Sequence, residues 1–385
     1  MVEEWLREKR LFPDLTVIRP ETVYRNSRFD FYLKTETGRR IFMEVKGVTL
    51  EKDNQAAFPD APSERAVKHV EELMLARQEG YEAWILFVIQ MKGPEAFSPN
   101  KEAQPAFEEV LRKARRAGVR ILACDCEVGK DSLMLREEVP VILSPLDRIA
   151  GPLLAWYDRG RRILPWRESP TPYHVWISEI MLQQTRVEAV KPYYDRFMKE
   201  LPDIRSLAGI GEEKLLKLWE GLGYYNRARN LKKAAEKIVI DYDGQMPGEY
   251  EALIGLPGIG SYTAGAVSSI AFGNPVPAVD GNVLRILSRL RMDGRDILDS
   301  RVKKEIEEEL AEVMPQDRPG DFNQALMELG AVVCVPNGAP KCGNCPWEAF
   351  CEARRADRIS EFPYKKPKKP RGIEEKTILV IRDED

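Results

Sequence analysis

The stretch Leu256-Pro257-Gly258-Ile259-Gly260-Ser261-Tyr262-Thr263-Ala264 decides how the second half of this chain folds. A Gly-x-Gly pair after an apolar residue and a proline suits a tight hairpin between two helices, because glycine accepts positive φ and lets a second backbone come close. Such a turn leaves N–H groups free at the start of the next helix. Backed by the helix dipole, those donors can hold a phosphate without reading sequence. Tyr262 to Phe272 is small and apolar, as a helix inside a core should be, and Gly273, Asn274, Pro275 and Pro277 break it. Val279-Asp280-Gly281-Asn282 then stands ahead of a new helix, Val283 to Arg291. Taken singly, these pieces read as a turn and an N-cap.

Upstream, Tyr173 to Leu182 reads as an apolar helix that carries one carboxylate, Glu179, between Trp176, Ile177, Ile180 and Met181. At a polar edge that group would be an ordinary carboxylate; in an apolar pocket its pKa would rise, as a general acid requires. Gln183-Gln184-Thr185-Arg186 follows, and its amide side chains can hydrogen-bond base edges in a disrupted duplex. Further on lies Gly221-Leu222-Gly223-Tyr224-Tyr225-Asn226-Arg227.

Together these strings resemble the adenine DNA glycosylase family of the helix-hairpin-helix superfamily. The resemblance implies that Glu179 protonates the leaving base and that Asp280 stabilises the sugar cation, with Tyr262 and Asn282 positioning Asp280 and the water. It places Gly258 and Gly260 on a DNA phosphate and Gln183, Gln184 and Thr185 at base edges. Tyr224 becomes the residue wedged into the stack, and Trp166, Arg167 and Gln324 line the adenine pocket. Related bifunctional enzymes that nick DNA carry Lys where this chain has Tyr262, so the expected activity is monofunctional.

Cys334, Cys342, Cys345 and Cys351 are spaced C-x7-C-x2-C-x5-C. Four thiolates at such spacing can close around zinc or an iron–sulfur cluster. The family resemblance implies a [4Fe–4S] cluster, with one extra residue here in the first gap, and a basic loop containing Lys341.

The first part of the chain alternates strand-like and helix-like segments. Asp14 to Ile18, Arg28 to Leu33, Arg40 to Val45, Ala83 to Ile89, Val119 to Cys124 and Glu138 to Leu143 read as strands, and Ser63 to Gln78 and Lys101 to Ala117 as helices. Alternation puts Glu44 and Lys46 on one face of a strand, and the preceding hairpin lets Asp30 lie alongside. An Asp and a Glu can share Mg²⁺ or Mn²⁺, while a Lys orients the attacking water. Ser27-Arg28-Phe29-Asp30, Glu44-Val45-Lys46-Gly47-Val48-Thr49-Leu50, Phe58-Pro59-Asp60-Ala61 and Lys68-His69 resemble the sugar fermentation stimulation protein family. That resemblance implies a restriction-endonuclease-like nuclease fold, with that family's N-terminal DNA-binding subdomain replaced by a short charged helix, Val2 to Lys9. His69 reads as a structural residue at the edge of the site, and Cys124 and Cys126 as buried or half-buried thiols.

The expected architecture is therefore multidomain: an α/β nuclease-like domain over 1–143, an all-α helix-hairpin-helix glycosylase domain with an iron–sulfur loop over 144–363, and a basic tail over 364–385. In that tail Thr377 to Arg382 would begin a strand, the remnant of a domain that in fuller relatives inspects 8-oxoguanine. With 43% hydrophobic and 31% charged residues in 385, the composition is that of a soluble globular protein. The formal net charge of −3 means that affinity for nucleic acid has to come from local patches. The longest apolar run, Ala83 to Ile89, is too short for a membrane helix. Cytoplasmic residence, a monomer, no membrane partner and double-stranded DNA containing adenine mismatches are the expectations. A thymine or uracil mismatch glycosylase of the same superfamily is opposed by Glu179 and the Gln183-Gln184 pair, and a non-catalytic DNA-binding adaptor by the presence of every expected catalytic carboxylate.

Overall fold

The computed structural model describes residues 1–8 and 11–367. The expected tail strand Thr377 to Arg382 lies outside the described residues, as does Lys9, the expected end of the first helix. The chain forms two compact units, Met1–Arg148 and a second beginning at Ile149. The division falls beyond the expected Leu143/Ser144 boundary because Asp147 belongs to the first unit. Its Oδ2 accepts from the N–H groups of Leu143 and Ser144, and its Oδ1 accepts from Arg115 at 2.7 Å. Among the described residues no helix is long and apolar enough to cross a membrane.

In the first unit, helix α1 (Val2–Arg7) precedes strands β1 (Leu15–Tyr24), β2 (Ser27–Thr35), β3 (Arg40–Val48), β4 (Leu50–Lys52) and β5 (Gln55–Phe58). Then come α2 (Glu64–Gln78), β6 (Glu82–Ile89), β7 (Ala96–Pro99), α3 (Pro105–Arg116), β8 (Arg120–Val128) and β9 (Leu133–Glu138). A six-stranded sheet has the order β1-β2-β3-β6-β8-β9, parallel through β3, β6 and β8 and antiparallel at both edges. Each parallel step needs a crossover, supplied by α2 and α3. β6 reads as a continuous apolar run because both its faces are covered: Ile85, Phe87 and Ile89 join one core cluster, Leu86 and Val88 the other.

Two expectations are corrected here. The last strand is Leu133–Glu138 rather than Glu138 to Leu143, since β9 pairs with β8 and Val141 makes only a single bridge to Phe97. The second helix begins at Pro105 rather than Lys101, where proline fills the first helical position behind Gln104. The small sheet of β4, β5 and β7 was not expected.

The second unit is helical: α4 (Ala150–Gly160), α5 (Pro165–Glu168), α6 (Pro172–Leu182), α7 (Val187–Glu200), α8 (Ile204–Gly209), α9 (Glu212–Leu218), α10 (Asn226–Asp241) and α11 (Tyr250–Ile254). After these follow α12 (Ser261–Phe272), α13 (Gly281–Arg291), α14 (Ser300–Val313), α15 (Pro319–Val332) and α16 (Glu352–Arg355). The expected helix Leu146 to Tyr157 is split into a short turn of helix at Pro145–Arg148, inside the first unit, and α4. α6 and α12 lie at the centre, and their residues are buried almost all round. Gly265 permits this, because a Cβ there would stand 2.2 Å from the carbonyl oxygen of Pro277. The segment that leads to Asp280 can thus lie directly on α12.

Candidate active site

The hairpin expected at Leu256–Gly260 joins α11 to α12. Gly258 takes φ +77°, and a side chain there would also meet Asn230 at 2.6 Å. Gly260 is the N-cap of α12 in extended backbone, so the cap residue offers no side chain to the first N–H groups of that helix.

α12 places Tyr262 beside Glu179 of α6. The phenol donates to Glu179 Oε2 at 2.5 Å and lies 3.2 Å from the sulfur of Met327. Glu179 is only 7% exposed. Burial pushes its pKa up to about 7, the nearby charge of Asp280 adds to the rise, and the Tyr262 hydrogen bond and Arg167 oppose it. Burial and the two carboxylates hold the phenol's own pKa well above the ordinary value, so Tyr262 remains a donor. The family resemblance had Tyr262 positioning Asp280; here its hydroxyl is bonded to Glu179 and lies against Met327, because α12 packs directly on α6.

Asp280 caps α13, accepting from Val283 N–H at 2.8 Å through Oδ1. Its Oδ2 accepts from Asn282 Nδ2 at 2.7 Å. Asn282 is held in turn by Arg285, whose Nη2 donates to its Oδ1 at 2.9 Å. Burial raises the Asp280 pKa above the usual carboxylate value against these hydrogen bonds. The N-cap reading of Asp280 thus holds, and the cap leaves its second oxygen on Asn282.

Glu179, Tyr262, Asp280 and Asn282 line a single cleft of about 1120 Å³. Trp166, Arg167, Gln183, Gln184, Thr185 and Gln324 line it as well. Tyr224 stands apart from that lining, 64% exposed at a left-handed φ of +48°. Gln184 is also left-handed, at +59°. Two bulky residues in that region of backbone space mark strain that surrounding contacts must sustain. Arg227 supplies them: its Nη1 donates to the carbonyls of Ile180 and Gln183 at 2.7 Å, and its Nη2 to those of Leu222 at 3.0 Å and Gly223 at 3.2 Å. One side chain thereby ties the Gln183–Thr185 loop to the Tyr224 loop.

Sequence reading missed Arg227, and it also missed Arg162, Lys303 and Glu328, which line the cleft. Glu328 is buried against Arg162 and Arg167 across a separation of more than 160 residues. No local pattern could announce such a pairing, although a charged residue within the apolar Phe322–Leu329 segment was an available signal.

The four cysteines surround one small apolar cavity of about 30 Å³, whose walls include Val333, Pro340, Ile359 and Arg289. Among the described residues no three His, Cys, Asp or Glu side chains converge as ligands of a single metal ion. α13 is fastened to this loop by arginine: Arg285 donates from Nε to the Cys334 carbonyl at 2.9 Å, and Arg289 from Nη1 to the Val335 carbonyl at 3.0 Å.

In the first unit, Phe42, Glu44 and Lys46 share the face of β3 on which α2 packs. Lys46 Nζ donates to Glu44 Oε1 at 2.6 Å, and Asp30 Oδ2 accepts from Val45 N–H at 2.6 Å. His69 is more than an edge residue, since its Nδ1 is hydrogen-bonded to the same Glu44 oxygen. Glu44 Oε2 is buried with no partner. Burial and the charge of Glu44 raise the Asp30 pKa. Cys124 and Cys126 are fully buried in the core.

A family model described as "HhH-GPD superfamily base excision DNA repair protein" matches residues 177–316. An adenine DNA glycosylase of Buchnera aphidicola subsp. Acyrthosiphon pisum is 39% identical over 234 residues, 60% of this chain and 67% of that protein. The chain belongs to the adenine DNA glycosylase family. The human adenine DNA glycosylase is 46% identical over 214 residues, 53% of this chain and 39% of that protein, so the chain spans less than half of such longer relatives. Residues 1–132 match a second model, "Sugar fermentation stimulation protein RE domain". Among solved structures, a thermostable thymine-DNA glycosylase is 29% identical with a TM-score of 0.49, covering 55% of this chain and 97% of that one.

The titration of Glu179 makes a stability prediction. Its pKa rises from 4.5 to about 7 on folding, so its contribution to stability is complete below 4.5 and is lost as pH climbs through 7. Glu179→Gln, which stays neutral, should melt at nearly the wild-type temperature at about pH 5 and above it at about pH 9, where the difference approaches roughly 3 kcal/mol. Equal melting shifts at both pH values would show that Glu179 folds as an ordinary carboxylate.

Proposed function

We propose that the second unit is a monofunctional glycosylase that hydrolyses the N-glycosidic bond of adenine mispaired with 8-oxoguanine or guanine in double-stranded DNA. The observation that carries this reading is a buried acid and a capped carboxylate facing one cleft, Glu179 with a pKa of about 7 and Asp280 beside it. Membership of the adenine DNA glycosylase family supports it.

In this mechanism the hairpin N–H groups at Gly258 and Gly260 grip a phosphate, and Tyr224 fills the gap left when adenine turns out of the stack. Trp166, Arg167, Gln183, Gln184, Thr185 and Gln324 hold the extruded base and the opened duplex. Glu179 gives its proton to a ring nitrogen, and the bond from that base to the sugar breaks with its electron pair leaving on adenine. The positive charge that develops across the sugar carbon and ring oxygen is met by the Asp280 carboxylate, which Asn282 and Val283 keep aimed. Water adds to the sugar carbon and returns a proton to Glu179. No side-chain amine replaces Tyr262, so no Schiff base forms and the strand is left intact.

We also propose that Cys334, Cys342, Cys345 and Cys351 hold a [4Fe–4S] cluster. Four thiols set round one shared cavity, on a loop with nearly the family's cluster spacing, support this reading. Bound there, it would brace the loop that carries Lys341 and that Arg285 and Arg289 join to α13. For the first unit we propose a divalent cation, Mg²⁺ or Mn²⁺, between Asp30 and Glu44, whose free oxygen has no other partner. Such an ion would polarise a phosphate and its attacking water, with Lys46 offsetting charge.

Three measurements test these readings. In single-turnover base release, adenine opposite 8-oxoguanine or guanine should leave, and Glu179→Gln should slow it by about 100-fold or more. The rate should fall as pH rises through about 7, where Glu179 loses its proton, and again at acid pH as Asp280 gains one, above the ordinary carboxylate range. Thymine release indifferent to Glu179 would refute the substrate. Iron and sulfide should copurify with the wild-type chain and be lost in Cys345→Ser; zinc in their place would refute the cluster. Mn²⁺ should raise the melting temperature of the wild-type chain, and the rise should vanish in Asp30→Asn; a rise that survives would place the ion elsewhere.

A further inference from the structure

Two glutamates line the same cleft in opposite states. Glu328, on α15, is 2% exposed. Burial works to raise its pKa, but the hydrogen bonds from Arg162 and the charges of both Arg162 and Arg167 outweigh that and hold it below the ordinary value. It is a carboxylate, whereas Glu179 lies where burial favours the acid.

The contacts of Glu328 are extensive. Arg162 donates to it from Nε at 2.6 Å and from Nη2 at 2.9 Å, and its backbone N–H approaches at 3.3 Å. Arg167 donates from Nη2 at 3.0 Å, while its Nη1 reaches back to the Arg162 carbonyl at 3.1 Å. One anion therefore serves two cations. The groups that bear on Glu179 are Tyr262, Asp280 and Arg167, and of these Arg167 is the cation. A guanidinium released from Glu328 has Glu179 as an anionic partner in the same wall, and a closed ion pair there would keep Glu179 ionised and useless as a proton donor.

We propose that Glu328 is a positioning residue for base release: its carboxylate pins Arg162 and Arg167 in the pocket wall, so that Arg167 faces the base instead of closing on Glu179. The proposal rests on the glycosylase reading above. It gives α15 a role in the chemistry without contact to substrate, and it explains why a single buried carboxylate carries two arginines.

The test is the pH profile of single-turnover adenine release for the full chain, its Glu328→Gln variant and the Glu328→Gln/Arg167→Gln double variant, each checked for folding by thermal melting. Glu328→Gln should move the alkaline limb down by about one pH unit. Any loss of rate at the acid side of the profile, where Glu179 is protonated in either case, reports the hold of Arg167 on the base and is read apart from the limb. The double variant, which exchanges a buried ion pair for two amides, should return the limb to the wild-type position or above it, whatever its rate. If Glu328→Gln does not fold, Glu328→Asp, which keeps the anion on a shorter arm, decides: a limb displaced downward supports the proposal, and an undisplaced one overturns it. A Glu328→Gln profile that is lowered uniformly, or not displaced, means that Glu328 is only structural and overturns it too. A wild-type chain that releases no adenine refutes the glycosylase reading, and the proposal falls with it; wild-type release with an undisplaced variant profile refutes the proposal alone.

Discussion

Keeping one carboxyl group neutral in the wall of an open cleft is the constraint on which the second unit depends. Water stabilises a carboxylate far better than a protein interior does, so exclusion of water from Glu179 raises its pKa without any special donor. Exclusion requires that α6 be packed on all sides, which its run of Tyr173 to Met181 provides. It also requires that the remaining polar atom be satisfied, and Tyr262 does this from α12. The close seating of Gly265 beneath Pro277 brings Asp280 to the same place. Local apolar sequence, helix packing and acid chemistry are one argument here.

The same helix that presents Asp280 also carries two nearly buried arginines. Arg285 touches Asn282, Gly330 and the Cys334 carbonyl, and Arg289 touches the Val335 and Phe362 carbonyls. Carbonyl oxygens at loop turns have no helical partner, and a guanidinium with five donors can gather several of them. The orientation of the Asn282 amide is thereby set from the cysteine loop. This gives the loop a physical route to the site that does not depend on its touching DNA.

What the sequence disclosed divides along physical lines. Periodicity and punctuation are local, so the hairpin, α6, α12, α13, the parallel strands and the shared face of Glu44 and Lys46 were legible. The carboxylates, Tyr262, Asn282 and the pocket residues Trp166, Arg167 and Gln324 were named through family resemblance, and the fold gathers them into one cleft. Partners separated by long stretches of chain were not legible. Glu328 with Arg162, His69 with Glu44 and Tyr262 with Glu179 are products of packing, and no spacing rule reaches across it. The Leu133–Glu138 strand was displaced in the reading because charged edge strands lack the alternation that marks half-buried ones. The β4-β5-β7 sheet was passed over because its strands are only three or four residues long.

Both oxygens of Asp280 are in use, Oδ1 on the Val283 N–H that caps α13 and Oδ2 on the Asn282 amide. Asparagine is as good a cap as aspartate, and its carbonyl can accept the Val283 N–H in the same way. The second oxygen is a different matter, because it accepts from the Asn282 amide, whose own oxygen is already held by Arg285. An asparagine at 280 would turn an N–H toward that N–H, and Asn282 could not swing round to meet it without giving up Arg285. The cap alone does not demand an aspartate; the pairing with Asn282 does.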